Sequence, residues 1–344
     1  MVLEIDSSRG EGGGQMVRTS VALATLTGTT TRLTRIRENR PTNGLSKQHT
    51  TAVNAIAQMT GSEITGNYIG SSELLVEPGD KKVPYISMDI GTAGSISLVV
   101  QATLLAARNY TEPFILDLKG GTNVMWAPPI DSYSMVLFPL MEKMGIHATV
   151  DIIERGFYPI GGGSVKVRLD PIGKIKPLNL DTLGEFKRIH GLCFVQHLSD
   201  RIGQDMIDSC RKVFSPRYDL DIEFVRTEGT SRGAGMVLVA EYENGILSSN
   251  VLSSKGHSPQ QSGLDVASDL LQEMSAGSTI DIHTADQILP YMAMAEGKSS
   301  FIVSRISKHL LSQMDTLESF LDVRFGVERK EDGYHFSVNP GVTE

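Results

Sequence analysis

The strongest constraint on the fold is a recurring order of glycine turns, helical patterns and short strands. The order begins near residues 11, 91 and 284 and runs in each case to a pair of strands, ending near residues 77, 169 and 338. Each block has the pattern β-α-β-α-β-β. Internal repetition on this scale indicates stacked copies of one supersecondary unit. We therefore expect an α/β fold built from three such repeats.

Apolar spacing and turn residues predict the individual elements. The first block contains a helix ending at Gly28, a strand, a helix from Ser46 ending at Gly61, and two strands. The predicted ranges outside the first helix are strands 29–36, 63–65, 74–77, 114–118, 148–153, 163–169, 301–304, 324–329 and 334–338, and helices 46–61, 91–107, 131–144 and 307–321. A further helix begins near Thr284. Pro139 and Pro290 fall within or near predicted helices and leave those boundaries open.

Residues 182–276 interrupt this order. They contain apolar segments at 189–195 and 236–242, a turn-rich link at 229–235, and a helical pattern at 260–274. No group of residues in this range forms a recognisable catalytic or binding motif. The sequence thus predicts a repeat-built catalytic domain over 1–181 and 277–344, with a smaller α/β domain inserted at 182–276.

Composition indicates a globular protein of the cytoplasm. The hydrophobic fraction is 40% and the charged fraction 21%, which is ordinary for such proteins. No apolar run reaches the roughly 18 residues of a membrane-spanning helix. The first residues resemble no secretion signal. Cys193 and Cys210 have no CxxC spacing, which argues against a disulfide scaffold or a zinc knuckle.

Charge is distributed unevenly along the chain. The net charge is −8, yet the first fifty residues carry seven basic and four acidic side chains. A small anionic group bound at one place fits this pattern better than a long duplex tracked along a basic face. Solvated loop charges are the alternative interpretation.

The glycine run at 12–14 precedes a helical pattern, where exposed backbone N–H groups can bind anions. No Gly-Lys-Ser/Thr follows, so the run is not a Walker A loop, and the Gly-x-Gly-x-x-Gly order is missing. A tight turn packing against a helix explains the same glycines equally well.

Among eight histidines, no pair has the HExxH or HxH spacing of common zinc hydrolases. His309 follows Ser307, a predicted N-cap, and so falls in the first turn of a helix. The positive end of the helix dipole disfavours imidazolium, which predicts a neutral, nucleophilic ring at pH 7. The alternative is a histidine that only packs beside Leu310.

Several motifs, taken together, resemble the RNA 3′-terminal phosphate cyclase family. They are EGGGQMVR (11–18), IRENR (36–40), QH (48–49), GTAGS (91–95) with Gln101, GGTN (120–123), APP (127–129), RGFYP (155–159), GGG (161–163), ADQ (285–287) and KHLL (308–311). The match runs in order over almost the whole chain and is weakest in the inserted region.

The resemblance implies a fold and a reaction. The fold has three β-α-β-α-β-β repeats, each a four-stranded sheet with two helices, and a smaller α/β domain before the third repeat. The reaction, of the ligase class, uses ATP and a divalent metal, Mg²⁺ or Mn²⁺, to convert an RNA 3′-phosphate into a 2′,3′-cyclic phosphate. It proceeds through a histidyl-AMP and an RNA-adenylate, and releases pyrophosphate and AMP.

The resemblance also implies site residues. His309 is the nucleophile, and Glu11 is a metal ligand as well as an ATP contact. The remaining ATP-binding positions are Gln101, His283, Thr284, Ala285, Asp286 and Gln287, and the phosphate and RNA positions are Arg18, Arg37, Arg40 and Gln48. The chain departs from the family pattern at His283, where an aromatic residue is common, and at Ser312-Gln313, where Thr-Asn is usual.

Proteins with two other functions have this type of fold. A non-catalytic ribosomal-RNA processing factor would lack the nucleophile, so His309 with Asp286-Gln287 argues against it. An enolpyruvyl-transferase-like enzyme would leave the His309 motif unexplained. The partner expected is RNA with a 3′-phosphate end, with no membrane. The RNAs recognised, the oligomeric state (a homodimer included) and the role of the inserted domain are left open.

Overall fold

The computed structural model describes residues 1–10, 12–215 and 217–341. The first sheet contains β1 (Leu3–Asp6), β2 (Thr31–Thr34), β3 (Glu63–Thr65) and β4 (Leu74–Glu77) in the order β1-β2-β4-β3. Its helices are α1 (Gly14–Thr27) and α2 (Lys47–Thr60). Both end as predicted, at Gly28 and Gly61, whose φ of 68° is the left-handed conformation that glycine adopts without a Cβ clash.

The second sheet has the same strand order. It contains β5 (Tyr85–Asp89), β6 (Phe114–Gly120), β7 (Ala148–Glu154) and β8 (Gly163–Leu169) in the order β5-β6-β8-β7, with helices α3 (Ile96–Ala106) and α4 (Phe138–Lys143). Buried and exposed side chains alternate along β8: Val165, Val167 and Leu169 are buried, whereas Lys166 and Arg168 are exposed. One face of this strand therefore packs against the core.

The helix predicted over 131–144 differs from the one observed. A π-helical turn (Tyr133–Leu137) precedes α4, and Pro139 lies in the first turn of α4. Proline has no N–H to donate to the preceding turn, which accounts for the break in the regular α-helical ladder.

The remaining strands form two further sheets. The strands of residues 186–252 are β10 (Phe186–Gln196), β11 (Leu220–Thr227), β12 (Gly233–Tyr242) and β13 (Ile246–Leu252), ordered β11-β10-β12-β13, with helices α5 (Asp200–Phe214) and α6 (Pro259–Ser275). The last sheet joins β9 (Asn179–Leu180) to β14 (Ser299–Val303), β15 (Val323–Lys330) and β16 (Gly333–Pro340), with helices α7 (Ile282–Ala293) and α8 (Lys308–Phe320).

The sheets share one pairing pattern but differ in strand order. In each sheet, the strand earliest in the chain is parallel to the next, and the other two pairings are antiparallel. In the first, second and last sheets that earliest strand lies at an edge. The sheet of β10–β13 instead places β10 between β11 and β12. The α/β class predicted from the sequence is confirmed, while the domain limits stay a prediction.

Two hydrophobic cores stabilise the molecule. The larger one joins the first, second and last sheets to α1, α2, α3, α7 and α8, and the smaller lies between α5, α6 and the sheet of β10–β13. The smaller core includes Cys193 and Cys210, both buried free thiols. Helix α1 packs against α2, α3 and α8, so it is enclosed on most sides. This packing places the N-termini of several helices close together.

None of the helices in the described ranges combines the length and the apolar character needed to cross a bilayer.

Candidate active site

A cavity of about 620 Å³ lies where helices from different sheets begin. Its wall includes the first residues of α1, α2, α7 and α8 and the loop that follows β6. Helix N-termini present free backbone N–H groups and the positive end of the dipole. The N-cap residue of helix α1 is Gly13, which has no side chain to cap those groups. The uncapped N-terminus of α1, together with the dipoles of the four helices, makes the cavity suited to bind a polyanion.

Most of the residues predicted for the site lie in the wall of this cavity. They are Arg18, Arg37, Arg40, Gln48, Gln101, His283, Thr284, Asp286, Gln287 and His309. Ala285 is different: its side chain is fully buried in the larger core, because it faces the interior side of α7. Glu11 lies outside the described residues. The structure thus brings ten of the predicted residues together, and their roles stay predictions.

His309 is held by two helices. Ser307 caps α8 as predicted, its Oγ accepting a hydrogen bond from Leu310 N at 2.9 Å. The Nδ1 atom of His309 lies 2.8 Å from Oε1 of Gln15 in the first turn of α1. An amide oxygen only accepts hydrogen bonds, so Nδ1 carries the proton and Nε2 keeps its lone pair. This is the tautomer that a nucleophilic histidine requires.

The pKa of His309 is lowered from its usual value of 6.5. The largest cause of the lowered pKa is partial burial of the ring, although the side chain still reaches solvent. The positive charges of Arg18 and Arg40, and then His283, lower the pKa further. The sequence predicted a neutral ring from the helix dipole. The direction agrees with that prediction, while the causes found in the structure are burial and nearby cations. The ring is therefore unprotonated and available at neutral pH.

Two further polar residues, absent from the predicted set, support the region around His309. Gln313 lies one turn after His309, and its Oε1 accepts a hydrogen bond from Thr19 Oγ1 at 3.1 Å. Thr19 is likewise one turn after Gln15. Two side-chain hydrogen bonds, one turn apart, thus join helices α1 and α8. Gln313, which replaces the usual asparagine of the family pattern, still forms a hydrogen bond.

Arg18 is the most buried cation in the cavity wall. Its side chain is 6% exposed, and burial lowers its pKa to about 10, so it remains charged at pH 7. Among the described residues its Nε finds no hydrogen-bond acceptor. A buried guanidinium with an unused donor is costly unless a ligand supplies the acceptor. Arginine suits phosphate because its planar fork pairs with two oxygens.

Arg37 and Gln48 each have one group already engaged by the protein. Arg37 Nη1 donates to Gly44 O at 2.8 Å, and partial burial lowers its pKa. Gln48 Oε1 accepts from Ser95 N at 3.2 Å, which ties α2 to the start of α3. These contacts orient both side chains beside the cavity.

The start of α7 forms another part of the cavity wall. Asp281 caps the helix, its Oδ1 accepting from His283 N and Thr284 N at 3.1 and 2.9 Å. Burial, and then the neighbouring Asp281, raise the pKa of Asp286 well above its usual value, while Arg18 opposes the shift. Gln287 donates from Nε2 to His283 O, and its Oε1 is buried without a partner among the described residues.

Residues 182–276 also contribute to the wall, through Ser248 and Asn250 on β13. Ser248 Oγ donates to Asp281 Oδ2 at 2.8 Å, linking β13 to the cap of α7. The sequence left the role of this region open, and no motif in it pointed to these two residues. The region forms one wall of the cavity.

His49 is another cavity residue outside the predicted set. It sits at the third position of α2, and its Nδ1 accepts from Ser46 N at 3.1 Å, completing a capping box. Burial, then Arg18 and Arg37, lower its pKa to about 3. The pattern Ser-x-x-His at a helix start was a usable signal for this capping role. Its neutral ring adds no charge to the cavity.

No group of three or more His, Cys, Asp or Glu side chains in the described ranges could hold a metal ion. Glu11, the predicted metal ligand, is outside those ranges. A cage built from protein ligands alone is therefore not found in the described part of the chain.

Comparison with known proteins agrees with the motifs. A family model described as RNA 3′-terminal phosphate cyclase matches residues 9–327. The chain is 36% identical over 338 residues to an RNA 3′-terminal phosphate cyclase of Methanopyrus kandleri, covering 96% of each chain. It is 36% identical over 338 residues to the protein of that name from Methanococcoides burtonii, covering 98% of this chain and 100% of the relative.

A solved structure, the enolpyruvyl transferase NikO from Streptomyces tendae, gives a TM-score of 0.39 at 10% identity, over 98% of this chain and 48% of that one. A likeness of that size carries no argument for the transferase alternative. The family match over residues 9–327 and the relatives above 30% identity support membership of the cyclase family. This chain belongs to the RNA 3′-terminal phosphate cyclase family.

Proposed function

We propose that this protein uses ATP to convert the 3′-phosphate of an RNA into a 2′,3′-cyclic phosphodiester. The observation that carries the proposal is His309: a ring with a lowered pKa, bound at Nδ1 by Gln15, in the wall of a cavity ringed by helix N-termini and arginines. Family membership supports the same reaction.

In the first step, Nε2 of His309 attacks the α-phosphorus of ATP. A P–N bond forms, the bond to pyrophosphate breaks, and the proton on Nδ1 stays with the ring. The imidazole then carries a positive charge, which the neutral Oε1 of Gln15 stabilises as an acceptor. Arg18, Arg37, Arg40 and the helix N-termini would stabilise the negative charge that develops on the phosphates.

In the second step, an oxygen of the RNA 3′-phosphate attacks the phosphorus of the bound AMP. The P–N bond breaks, and His309 recovers its lone pair. The product is an RNA-adenylate with a phosphoanhydride bond. A phosphomonoester alone is a poor electrophile, so this transfer supplies the leaving group that cyclisation needs.

In the third step, the neighbouring 2′-hydroxyl attacks the activated 3′-phosphorus. AMP leaves and the hydroxyl proton is lost to solvent or to the leaving group. The attack is intramolecular, so its entropy cost is small. The protein needs only to hold the end of the RNA still.

The divalent ion implied by the family, Mg²⁺ or Mn²⁺, would be held mainly by phosphate oxygens of ATP, as is usual where few carboxylates are available. Glu11 is the candidate protein ligand. ATP itself is a substrate.

The test uses a short 5′-labelled RNA with a 3′-phosphate, incubated with ATP and Mg²⁺ or Mn²⁺. We expect an ATP-dependent product whose terminal phosphate resists phosphatase, and no product with His309→Ala. An RNA with a terminal 2′-deoxyribose should stop as the adenylate, because it has no 2′-hydroxyl. Binding of RNA without any turnover would contradict the proposal and favour a non-catalytic RNA-processing factor.

A further inference from the structure

The only tryptophan of the chain is almost fully exposed. Trp126 has 95% of its side chain accessible, and the neighbouring Met125 is 54% exposed. The backbone at Trp126 adopts a φ of 67°, the left-handed conformation that bulky residues rarely take. Large apolar side chains at the surface often mark a binding site, and strained backbone collects at such sites.

The loop that carries Trp126 is anchored at both ends. Asn123 Nδ2 donates to Asp131 Oδ2 at 2.9 Å, and Ile130 N donates to Thr122 O at 3.0 Å. Asp131 also forms a buried ion pair with Arg155 at 2.6 Å. The ends of the loop are therefore fixed, and the exposure of Trp126 is set by the structure around it.

Trp126 stands at the rim of the cavity that contains His309. Its side chain lines that cavity together with Ala127 and Pro128, which follow it in the chain. Arg37 and Arg40 line the same cavity. Trp126 and His309 thus line the same cavity, where a nucleic-acid end with its terminal phosphate at His309 would find both side chains.

We infer that Trp126 stacks on the base of one of the last two nucleotides of the RNA substrate. This inference rests on the proposed function. An indole face binds any base, because every base has a π-face, so such a contact recognises an RNA end without selecting its sequence. The arginines and helix N-termini hold phosphates, and Trp126 adds the apolar contact that orients the nucleoside.

The single tryptophan makes stacking directly measurable by its fluorescence. We expect a 3′-phosphorylated RNA of about six nucleotides, added without ATP, to quench the emission of Trp126, since a base stacked on indole quenches it. The same RNA with an abasic residue at one of its last two positions should lose the quenching. Binding is followed in parallel by the anisotropy of a 5′-fluorescein label.

Variants test the contribution to affinity. Trp126→Ala should weaken RNA binding about 10-fold, and Trp126→Phe by no more than about threefold, because phenylalanine still stacks. Tyr68→Ala is the matched control: Tyr68 is 65% exposed and does not line the cavity, so its loss should leave affinity unchanged.

The outcomes separate the inference from the proposed function. RNA that binds by anisotropy without quenching, or with quenching unaffected by both abasic positions, would overturn the inference alone. Equal quenching by ATP in the absence of RNA would assign Trp126 to the adenine and also overturn it. Failure of 3′-phosphorylated RNA to bind at all would reject the proposed function, and this inference with it.

Discussion

The Nδ1 atom of His309 and the Oε1 atom of Gln15 lie 2.8 Å apart, although 293 residues separate them in the chain. One turn further along the same two helices, Thr19 and Gln313 form a second contact at 3.1 Å. Helices α1 and α8 therefore fix the orientation of the ring. Because Gln15 accepts a hydrogen bond from the protonated Nδ1, Nε2 keeps its lone pair and is the nucleophilic atom.

Gln15→Leu should slow transfer of AMP from ATP to the protein by roughly 10-fold. It removes a hydrogen bond of about 1 kcal/mol and also the preference for the reactive tautomer. Gln15→Glu keeps an acceptor at the same place and should retain more activity than Gln15→Leu. Single-turnover rates with α-labelled ATP measure both. Equal rates in all three proteins would show that Gln15 does not position the ring.

The rate of this transfer should depend on pH in a way set by His309. Because its pKa is lowered from 6.5, the ring stays neutral as the pH falls through 6.5. The rate should therefore hold its plateau below that pH and decline only in more acid solution. A profile over about pH 5 to pH 8 tests this, with the ring followed by NMR. A midpoint at or above 6.5 would contradict the account of the site.

Arg18→Met should separate stability from function. The substitution removes a buried guanidinium with an unused donor, so the free energy of unfolding without ligand should stay the same or rise by about 1 kcal/mol. The transfer of AMP should fall on the order of 100-fold, as when one donor to a developing anion is lost. Urea unfolding and labelled ATP provide the two measurements. A large loss of stability with normal transfer would assign Arg18 a structural role instead.

Buried His49 should make the protein sensitive to acid. The pKa of His49 is about 3 in the folded state, whereas the usual pKa of histidine is 6.5. Below pH 6.5 the unfolded chain binds a proton that the folded protein does not, so stability is lost at up to about 1.4 kcal/mol per pH unit.

His49→Gln should reduce this acid sensitivity. Glutamine has no titrating group, yet it can complete the same capping box with Ser46. The change in free energy of unfolding between about pH 7 and pH 5 is the quantity to compare. An equal decline in both proteins would mean that other groups control the acid response.

Much of the fold could be predicted from local patterns. Strands β3, β4 and β8 fall at their predicted positions, and α8 begins at its predicted cap, Ser307. No range was predicted for strands β1, β5, β9, β11 and β13 or for helix α5. Helix α5 contains Gly203 in its interior, and an interior glycine weakens the sequence signal for a helix. The glycine is needed for packing between elements, because a Cβ at this position would lie 2.4 Å from the ring of Phe224.

Site residues could be predicted where they belong to a motif with a known chemical role. They could not be predicted where only the packing of distant elements brings them to the cavity. Arginines and His309 could be named because the family motif contains them. Gln15 also lies in a family motif, but the sequence did not pair it with His309, and Ser248 and Asn250 lie in no motif. The places of these three residues in the cavity depend on contacts between elements far apart in the chain. Ala285 shows the converse: it belongs to a site motif, yet its side chain faces the core.

The most direct test of the account is whether ATP forms a covalent adduct on His309. The protein is incubated with ATP labelled at the α-phosphate and a divalent metal, without RNA, and label retained on the denatured chain is measured beside His309→Ala. We predict an acid-labile, hydroxylamine-sensitive adduct on the parent protein, discharged by a 3′-phosphorylated RNA, and none on the variant. Absence of an adduct with both Mg²⁺ and Mn²⁺, or an adduct that persists in His309→Ala, would contradict the assignment of His309 as the nucleophile.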